Sequence, residues 1–420
     1  MSASATVARN AAVLESVFGD RFRRDFDVRF WDGTTLPSIT AERRFTFVLN
    51  EPGALRAAFA PPFELHAGEA FVTGAIEIEG DLVAAVRAFE QASDRPSLVE
   101  RARIALMLAR LPRDGHAHAP QAKLHGATHT RERDRAAIAF HYDQPVAFYE
   151  SFLDPALVYS CAYYDDGVAD LATAQQAKLE HVLRKLRLES GMTLLDIGCG
   201  WGALVIAAAK RGARALGITL SRIQHEEANR RIEALSLGDR ARVELLDYRD
   251  LGERRFDRIA SIGMVEHVGR EKLPEYFRAA FAALRPGGLF LNHGITEQSP
   301  GRIGPSNPFI RRHVFPDGDL VAIGDTLAIA ERSGFEVRDV ENLREHYART
   351  LRAWVVNLEA NADAAIAAAG MAAFRTWRLY MAASAVSFEG SSIGLHQSLL
   401  ARPDADGRVM IPATRRDLYR

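Results

Sequence analysis

Short apolar runs of strand length recur between residues 193 and 295, separated by stretches whose apolar positions follow helical spacing. TLLDIG (193–198), ARALGIT (213–219), ARVELLD (241–247), FDRIASIG (256–263) and LFLNHGI (289–295) are the predicted strands. Helices are predicted from about 202 to 211 and from the second strand through 234. This alternation argues for an α/β fold with a parallel, doubly wound sheet, its ligand crevice at the C-terminal ends of the strands. The first 112 residues follow another pattern. FTFVLN (45–50) and AFVTGAIEIEG (70–80) favour strands, while GDLVAAVRAFEQA (80–92) and SLVERARIALMLARL (97–111) have helical spacing. We therefore expect a small N-terminal α+β domain (1–112), a polar linker (113–135) and a larger catalytic domain (136–420).

Composition narrows the function. The chain has 420 residues with 48% hydrophobic and 25% charged residues, as in ordinary globular proteins. A formal net charge of −1 offers no global attraction to nucleic acid, and no such partner is expected. Two cysteines, Cys161 and Cys199, make a disulfide framework unexpected and a reducing cytoplasm the expected location. The N-terminus lacks the apolar core of a signal peptide, and no apolar run approaches the ~20 residues that span a bilayer. His116, His118, His125 and His129 crowd the linker without an ordered Cys, Asp or Glu set, so no metal site is expected. Arg101, Arg103 and Arg110 decorate a predicted helix as a solvated face, or as contacts to anionic headgroups.

The sharpest local feature is LLDIGCGWG (194–202), a buried strand running into a glycine-rich turn and then a helix. Gly198, Gly200 and Gly202 let the backbone approach a ligand closely. Dinucleotide enzymes also use such a turn, but their spacing is G-x-G-x-x-G and here it is G-x-G-x-G. Asp196 lies on the strand before the turn. The next strand ends in Ile218-Thr219-Leu220-Ser221 rather than in the acid that grips an NAD ribose. With FDRIAS and RPGGLF (285–290), this layout is that of a class I methyltransferase using S-adenosyl-L-methionine.

Longer segments resemble one family closely. HYDQPVAFYESFLDPALVYSCAYY (141–164), GITLSRIQ (217–224), FDRIASIGMVEHVGREKLPEYF (256–277), NHGIT (292–296), RRHVFPDGDL (311–320), ENLREHYARTLRAW (341–354) and WRLYMAASAVSFEGSSIGLHQSLLAR (377–402) look like the cyclopropane-fatty-acyl-phospholipid synthases and the mycolic acid cyclopropane synthases. The resemblance covers roughly residues 130 to 402 and extends weakly to GEAFVTGAIEIEGDL (68–82). It implies a class I methyltransferase fold with a doubly wound mixed sheet. It implies an S-adenosyl-L-methionine pocket at Tyr159, Ser160, Asp196, Gly198, Gly200, Gly202, Thr219, Leu220 and Gln224, with Tyr248 and Arg249 near the adenine. It also implies a bicarbonate ion held by Cys161, Glu266, His293, Ile295 (through its backbone N–H) and Tyr347. Methyl transfer to an isolated cis double bond leaves a carbocation, and ring closure then needs a base near the new methyl group. Phe148, Tyr163, Trp354 and Tyr380 are candidate aromatic walls for that cation, and His267 is expected to be structural. The implied substrate is an unsaturated phospholipid met at the inner membrane surface, by a homodimer joined through a lipid-binding N-terminal domain. Arg311, Arg312 and His313 are candidates for its phosphate.

Two positions depart from the family pattern. Gln144-Pro145 stands where relatives carry Gly-Asn, and Pro145 fixes the backbone and removes a donor. Ser384 stands where many relatives carry a cysteine, so no mechanism built on a thiolate there is available. Other outcomes of the same chemistry are a methyl-branched or methylene chain. A methyltransferase for a soluble small molecule and a non-catalytic lipid-binding protein are the remaining alternatives.

Overall fold

A computed structural model describes residues 3–18, 24–92, 97–113, 121, 124–298, 307–409 and 411–419. Two compact units divide the chain: 1–121 with 307–314 and 369–386, and 122–306 with 315–368 and 387–420. The first unit thus draws in two short pieces from the region assigned by sequence to the catalytic domain. His116 and His118 of the expected linker lie outside the described residues. The linker's last residues open a helix, Arg131–Tyr142.

In the first unit, β1 (Asp27–Arg29), β2 (Thr35–Leu36), β3 (Phe45–Leu49) and β4 (Ile76–Gly80) form a sheet of order β2-β1-β3-β4. Phe45, Phe47 and Leu49 of β3 are buried on one face, and Val48 is buried on the other. Phe45 stacks on Phe26, and Phe47 meets the edge of Phe89 from helix Leu82–Ala92. One expectation fails here. AFVT (70–73) is not strand but the last turn of helix Phe63–Thr73, which ends at Gly74 in the left-handed conformation. Its aromatic and β-branched residues favour strands, yet Leu65, Gly68, Phe71 and Val72 are buried at helical spacing. The Phe309 ring lies so close to Gly68 that a Cβ there would sit 2.3 Å from it.

The second unit is built on β5 (Thr193–Ile197), β6 (Arg214–Thr219), β7 (Ala241–Leu245), β8 (Phe256–Ile262), β9 (Leu284–Glu297), β10 (Val321–Ala322), β11 (Glu336–Asn342) and β12 (Ile393–Ala401). The main path runs β11-β12-β9-β8-β5-β6-β7, with β10 beside β9. All five strands predicted here are present, and they pair in parallel. β11 and β12 were not predicted. β12 runs antiparallel to both β9 and β11, so the sheet is mixed. Apolar cores cover both faces: Leu194, Ala260, Leu291 and Leu399 enter one, and Leu195, Ile259, Phe290 and Leu400 the other. Burial on both faces is why these strands read as continuous apolar runs.

Candidate active site

The C-terminal end of β5 carries the glycine turn. Gly198, Gly200 and Gly202 have φ of 77°, 53° and 80°, a region that side-chain-bearing residues disfavour. Every residue expected to hold the cofactor, except Gly202, lines one cleft there. Gly202 instead precedes helix Ala203–Lys210 and packs against helix Arg222–Ala234, where a Cβ would lie 3.2 Å from that of Ala228. The turn's close packing continues at Gly217 on β6, where a Cβ would fall 2.7 Å from Cys199 Sγ and 2.9 Å from Val205.

At the far side of the cleft, Thr219 Oγ1 donates to Gln224 Oε1 at 2.8 Å. Ser221 caps the helix that carries Gln224 and donates to Asp143 Oδ1 at 2.6 Å. Pro145 is accommodated as the N-cap of helix Val146–Glu150, where a missing N–H costs nothing. Arg249 is committed to two carboxylates, with Nη2 at 2.6 Å from Asp247 and 3.1 Å from Asp134. Burial alone would raise the Asp247 pKa, but the Arg249 guanidinium and backbone N–H outweigh it and keep the carboxylate ionised. Trp201, inside the expected stretch Gly198 through Gly202, lines the cleft too, as do Asp247 and Lys178, which sequence analysis missed. Asp247 lies two residues past the end of β7, a strand-end position that could have found it; Lys178 carries no comparable local signal. His267 also lines the cleft; burial pushes it down to about 4, and its Nε2 meets Tyr142 Oη at 3.2 Å. It is a neutral hydrogen-bonding wall.

A second cluster surrounds the end of β9. Ile295 N–H donates to Glu266 Oε1 at 2.6 Å. Glu266 rides on the one-turn helix Val265–Val268, which sits tightly on Gly294: a Cβ there would lie 2.2 Å from Val265. His293 points to the same face as Ile295, two residues along the strand. Its Nδ1 lies 3.0 Å from Gln397 Nε2 on β12. If the amide donates, the ring proton resides on Nε2, a tautomer inferred from this bond. Burial, with the charges of Lys178 and Lys185, holds the His293 pKa well below its usual value, so the ring is neutral. Burial raises Glu266 to about 7, against the pull of the Ile295 N–H. Among the described residues, Glu266 Oε2 and His293 Nε2 are buried and have no hydrogen-bond partner.

Cys161 and Tyr347 reach this cluster through one intermediary segment. Cys161 Sγ lies 3.9 Å from the Leu343 carbonyl, Tyr347 N–H donates to the same carbonyl, and Leu343 N–H donates to Leu395. Leu395 is the cross-strand neighbour of Ile295. Burial pushes the Cys161 thiol up, so it stays protonated. Of the proposed aromatic walls, Phe148 and Trp354 are fully buried, while Tyr163 stacks between His181 and His346. Tyr380 and the half-buried Ser384 belong to the first unit. So do the three candidates for a phosphate. His313 and Arg312 are engaged there by Glu69 and Gln121 respectively, and Arg311 is exposed.

Comparison with known proteins points to one family. The family model described as mycolic acid cyclopropane synthetase matches residues 129–398. A domain of unknown function matches residues 13–97. A probable fatty acid methyltransferase of Pseudomonas putida is 40% identical over 94% of this chain and 96% of its own length. A probable fatty acid methyltransferase of Mycobacterium tuberculosis is 42% identical over 68% of this chain and 67% of its own. Among solved structures, the mycolic acid cyclopropane synthase CmaA1 complexed with SAH and CTAB is 35% identical. It superposes with a TM-score of 0.60, covering 64% of this chain and 98% of that one.

Proposed function

This chain belongs to the mycolic acid cyclopropane synthetase family of S-adenosylmethionine-dependent C-methyltransferases, and on that premise we propose that it cyclopropanates unsaturated phospholipid acyl chains with bicarbonate as base. The observation that carries the reading is two buried polar atoms without a hydrogen-bond partner among the described residues, Glu266 Oε2 next to β9 and His293 Nε2 on it. Buried polar atoms are almost always partnered. A small ion with both donor and acceptor oxygens fits this set. S-Adenosylmethionine supplies an electrophilic methyl group, and bicarbonate supplies a base small enough to serve an acyl tunnel.

The chain's own residues then have distinct roles. With a pKa near 7, Glu266 keeps a proton through much of the neutral range and can donate as well as accept. Neutral His293 donates from Nε2, its other nitrogen engaged by Gln397. Tyr347 offers a phenol. Cys161 remains a thiol, so it acts by shape and backbone rather than as a nucleophile. The half-buried Ser384 is consistent with chemistry that needs no thiolate.

A lipid substrate requires the protein to visit a membrane surface. No helix among the described residues is long and apolar enough to cross one, so the proposed mode is peripheral, at the cytoplasmic face, as a homodimer. A second outcome has specific support: the Pseudomonas putida and Mycobacterium tuberculosis relatives are each described as a probable fatty acid methyltransferase, so a methyl-branched product is the competing reading. Product analysis separates the two. Protein is mixed with methyl-labelled S-adenosylmethionine, bicarbonate and vesicles of cis-unsaturated phospholipid, and the released acids are analysed by mass spectrometry and NMR. One labelled methylene with loss of olefin signals and new ring protons is expected. Label without ring protons would replace cyclopropanation by methyl branching, and no label would remove the phospholipid.

A further inference from the structure

Helix Leu98–Ala109, in the first unit, buries one side and leaves another bare. Leu108 is buried, Ile104 and Met107 are partly buried, and the helix packs on helices Ala3–Phe18 and Ala54–Ala58. A capping box of Ser97 and Glu100 fixes its start, and Arg56 Nη1 holds its end through the Ala109 and Leu111 carbonyls. The other side is open. Val99 is 79% exposed and Leu106, two turns on, 58%. Ala102 and Ala109, three residues beyond each, are exposed and extend this apolar stripe. Arg103 and Arg110, four residues beyond each, are exposed and border it. Arg101, two residues from Val99, projects from nearly the opposite side. The helix's one acid, Glu100, turns its carboxylate back to the Ser97 N–H at 2.7 Å, so the helix gives this face no negative charge. Single exposed apolar side chains are ordinary, but an apolar stripe with a polar rim is the mark of an interface.

We propose that this helix face docks on an anionic lipid surface, with Val99 and Leu106 entering the acyl boundary and Arg103 and Arg110 taking headgroup phosphates. The proposal rests on the lipid-substrate reading above and gives the membrane visit a surface. The pattern suits a helix lying in the plane of the interface, apolar where it enters and basic at the rim. Its 12 residues are tied at both ends, so no folding step precedes contact with a bilayer. An arginine lays its aliphatic stem along apolar surface while its planar fork reaches phosphate oxygens two at a time. A second copy of the chain fits this face less well. Two-fold pairing would bring the same arginines near one another, and the helix carries no acid there to offset them. An anionic lipid surface supplies that missing charge. Two large apolar side chains make a small contact, which keeps the docking reversible.

Cys161 and Cys199 are buried, so a thiol-reactive fluorophore on Leu106→Cys reports on position 106 alone. A polarity-sensitive label there should shift to the blue with vesicles of mixed phosphatidylglycerol and phosphatidylcholine, and brominated acyl chains should quench it. Phosphatidylcholine alone should leave it nearly unchanged. In vesicle flotation, Arg103→Gln combined with Arg110→Gln should bind the mixed vesicles roughly 10- to 30-fold more weakly, the loss expected for two basic residues at an anionic surface. The binding that remains should also fall less steeply with salt. Both arginines are exposed, and the label measurement stands without this variant. Vesicle binding with the label unshifted would overturn the proposal, since another surface then meets the bilayer. Full binding by the double variant would overturn it as well. A blue shift that grows with protein concentration in the absence of lipid would put a second copy on this face instead. If the unlabelled wild type floats with no vesicle of any composition, the lipid-substrate reading beneath the proposal fails.

Discussion

Glu266 Oε1 accepts the Ile295 backbone N–H at 2.6 Å, and Gly294 is what allows the two to meet. The Val265 methyl occupies the space a side chain at 294 would need, while both Glu266 oxygens lie 3.6 Å from that point. Gly294→Ala should push helix Val265–Val268 off β9 and displace the carboxylate. Turnover should fall by roughly 100-fold, the scale of ångström-level misplacement. S-Adenosylhomocysteine affinity should change far less. Turnover and ligand titration on the same preparation check this; an equal loss in both would mean that the turn helix supports the cofactor cleft instead.

Glu266 also makes a pH prediction. Burial raises its folded-state pKa to about 7, above the unfolded value of about 4. The protonated acid is therefore favoured by folding. Its stabilising contribution is fully present below pH ~4 and is lost as pH rises through ~7. Replacing it by Gln removes that loss. Thermal unfolding of Glu266→Gln and wild type should give a stability difference that shifts in the variant's favour between pH 5 and 8. Meanwhile, the variant's turnover should drop by about 100-fold or more if the carboxyl orients the base. Parallel pH profiles of stability would show that Glu266 is ionised already at pH 5.

Lys185 is fully buried, with Nζ 2.5 Å from Glu341 and 3.3 Å from Asp339. Glu341 also accepts from His181 at 2.8 Å. Burial would raise the Glu341 pKa, but His181 and Lys185 together bring it to about 2. Its contribution is thus present above about pH 4 and lost as pH falls toward 2. Glu341→Gln should destabilise the protein by ~3 kcal/mol in urea unfolding at pH 7, because it leaves a buried ammonium short of a partner. A loss below ~1 kcal/mol would mean Asp339 suffices.

Gly217→Ala should weaken cofactor binding from outside the cleft, by displacing Cys199, which lines it. Its Cβ would meet Cys199 and Val205 at under 3 Å, and overpacking of this kind costs about 1–3 kcal/mol. Titration with S-adenosylhomocysteine should show roughly a 10-fold loss. Unchanged affinity would mean the turn moves freely without disturbing the site.

The cofactor turn was legible because its signal is local. A doubly buried strand, three glycines with positive φ and a following helix lie within a few residues. The expected positions around it duly line one cleft, except Gly202, whose glycine serves helix packing. β11 and β12 escaped prediction because their partners are distant in sequence: Gln397 faces His293 across the ladder. AFVT escaped because local propensity pointed to strand while burial at positions 65, 68, 71 and 72 demanded helix.

The sequence alone determined the alternating α/β plan and the glycine turn, since periodicity and short motifs are properties of neighbouring residues, while Glu266 and His293 were marked only by family resemblance. The tertiary structure decided what those residues can do. It brought the Ile295 amide to Glu266, set Gln397 on one nitrogen of His293, and buried Lys178 and Asp196 in one cleft. Hydrogen-bond partners, burial and the resulting protonation states depend on separate segments meeting in space, 29 residues apart for Glu266 and Ile295 and 104 for His293 and Gln397, and no local pattern encodes them.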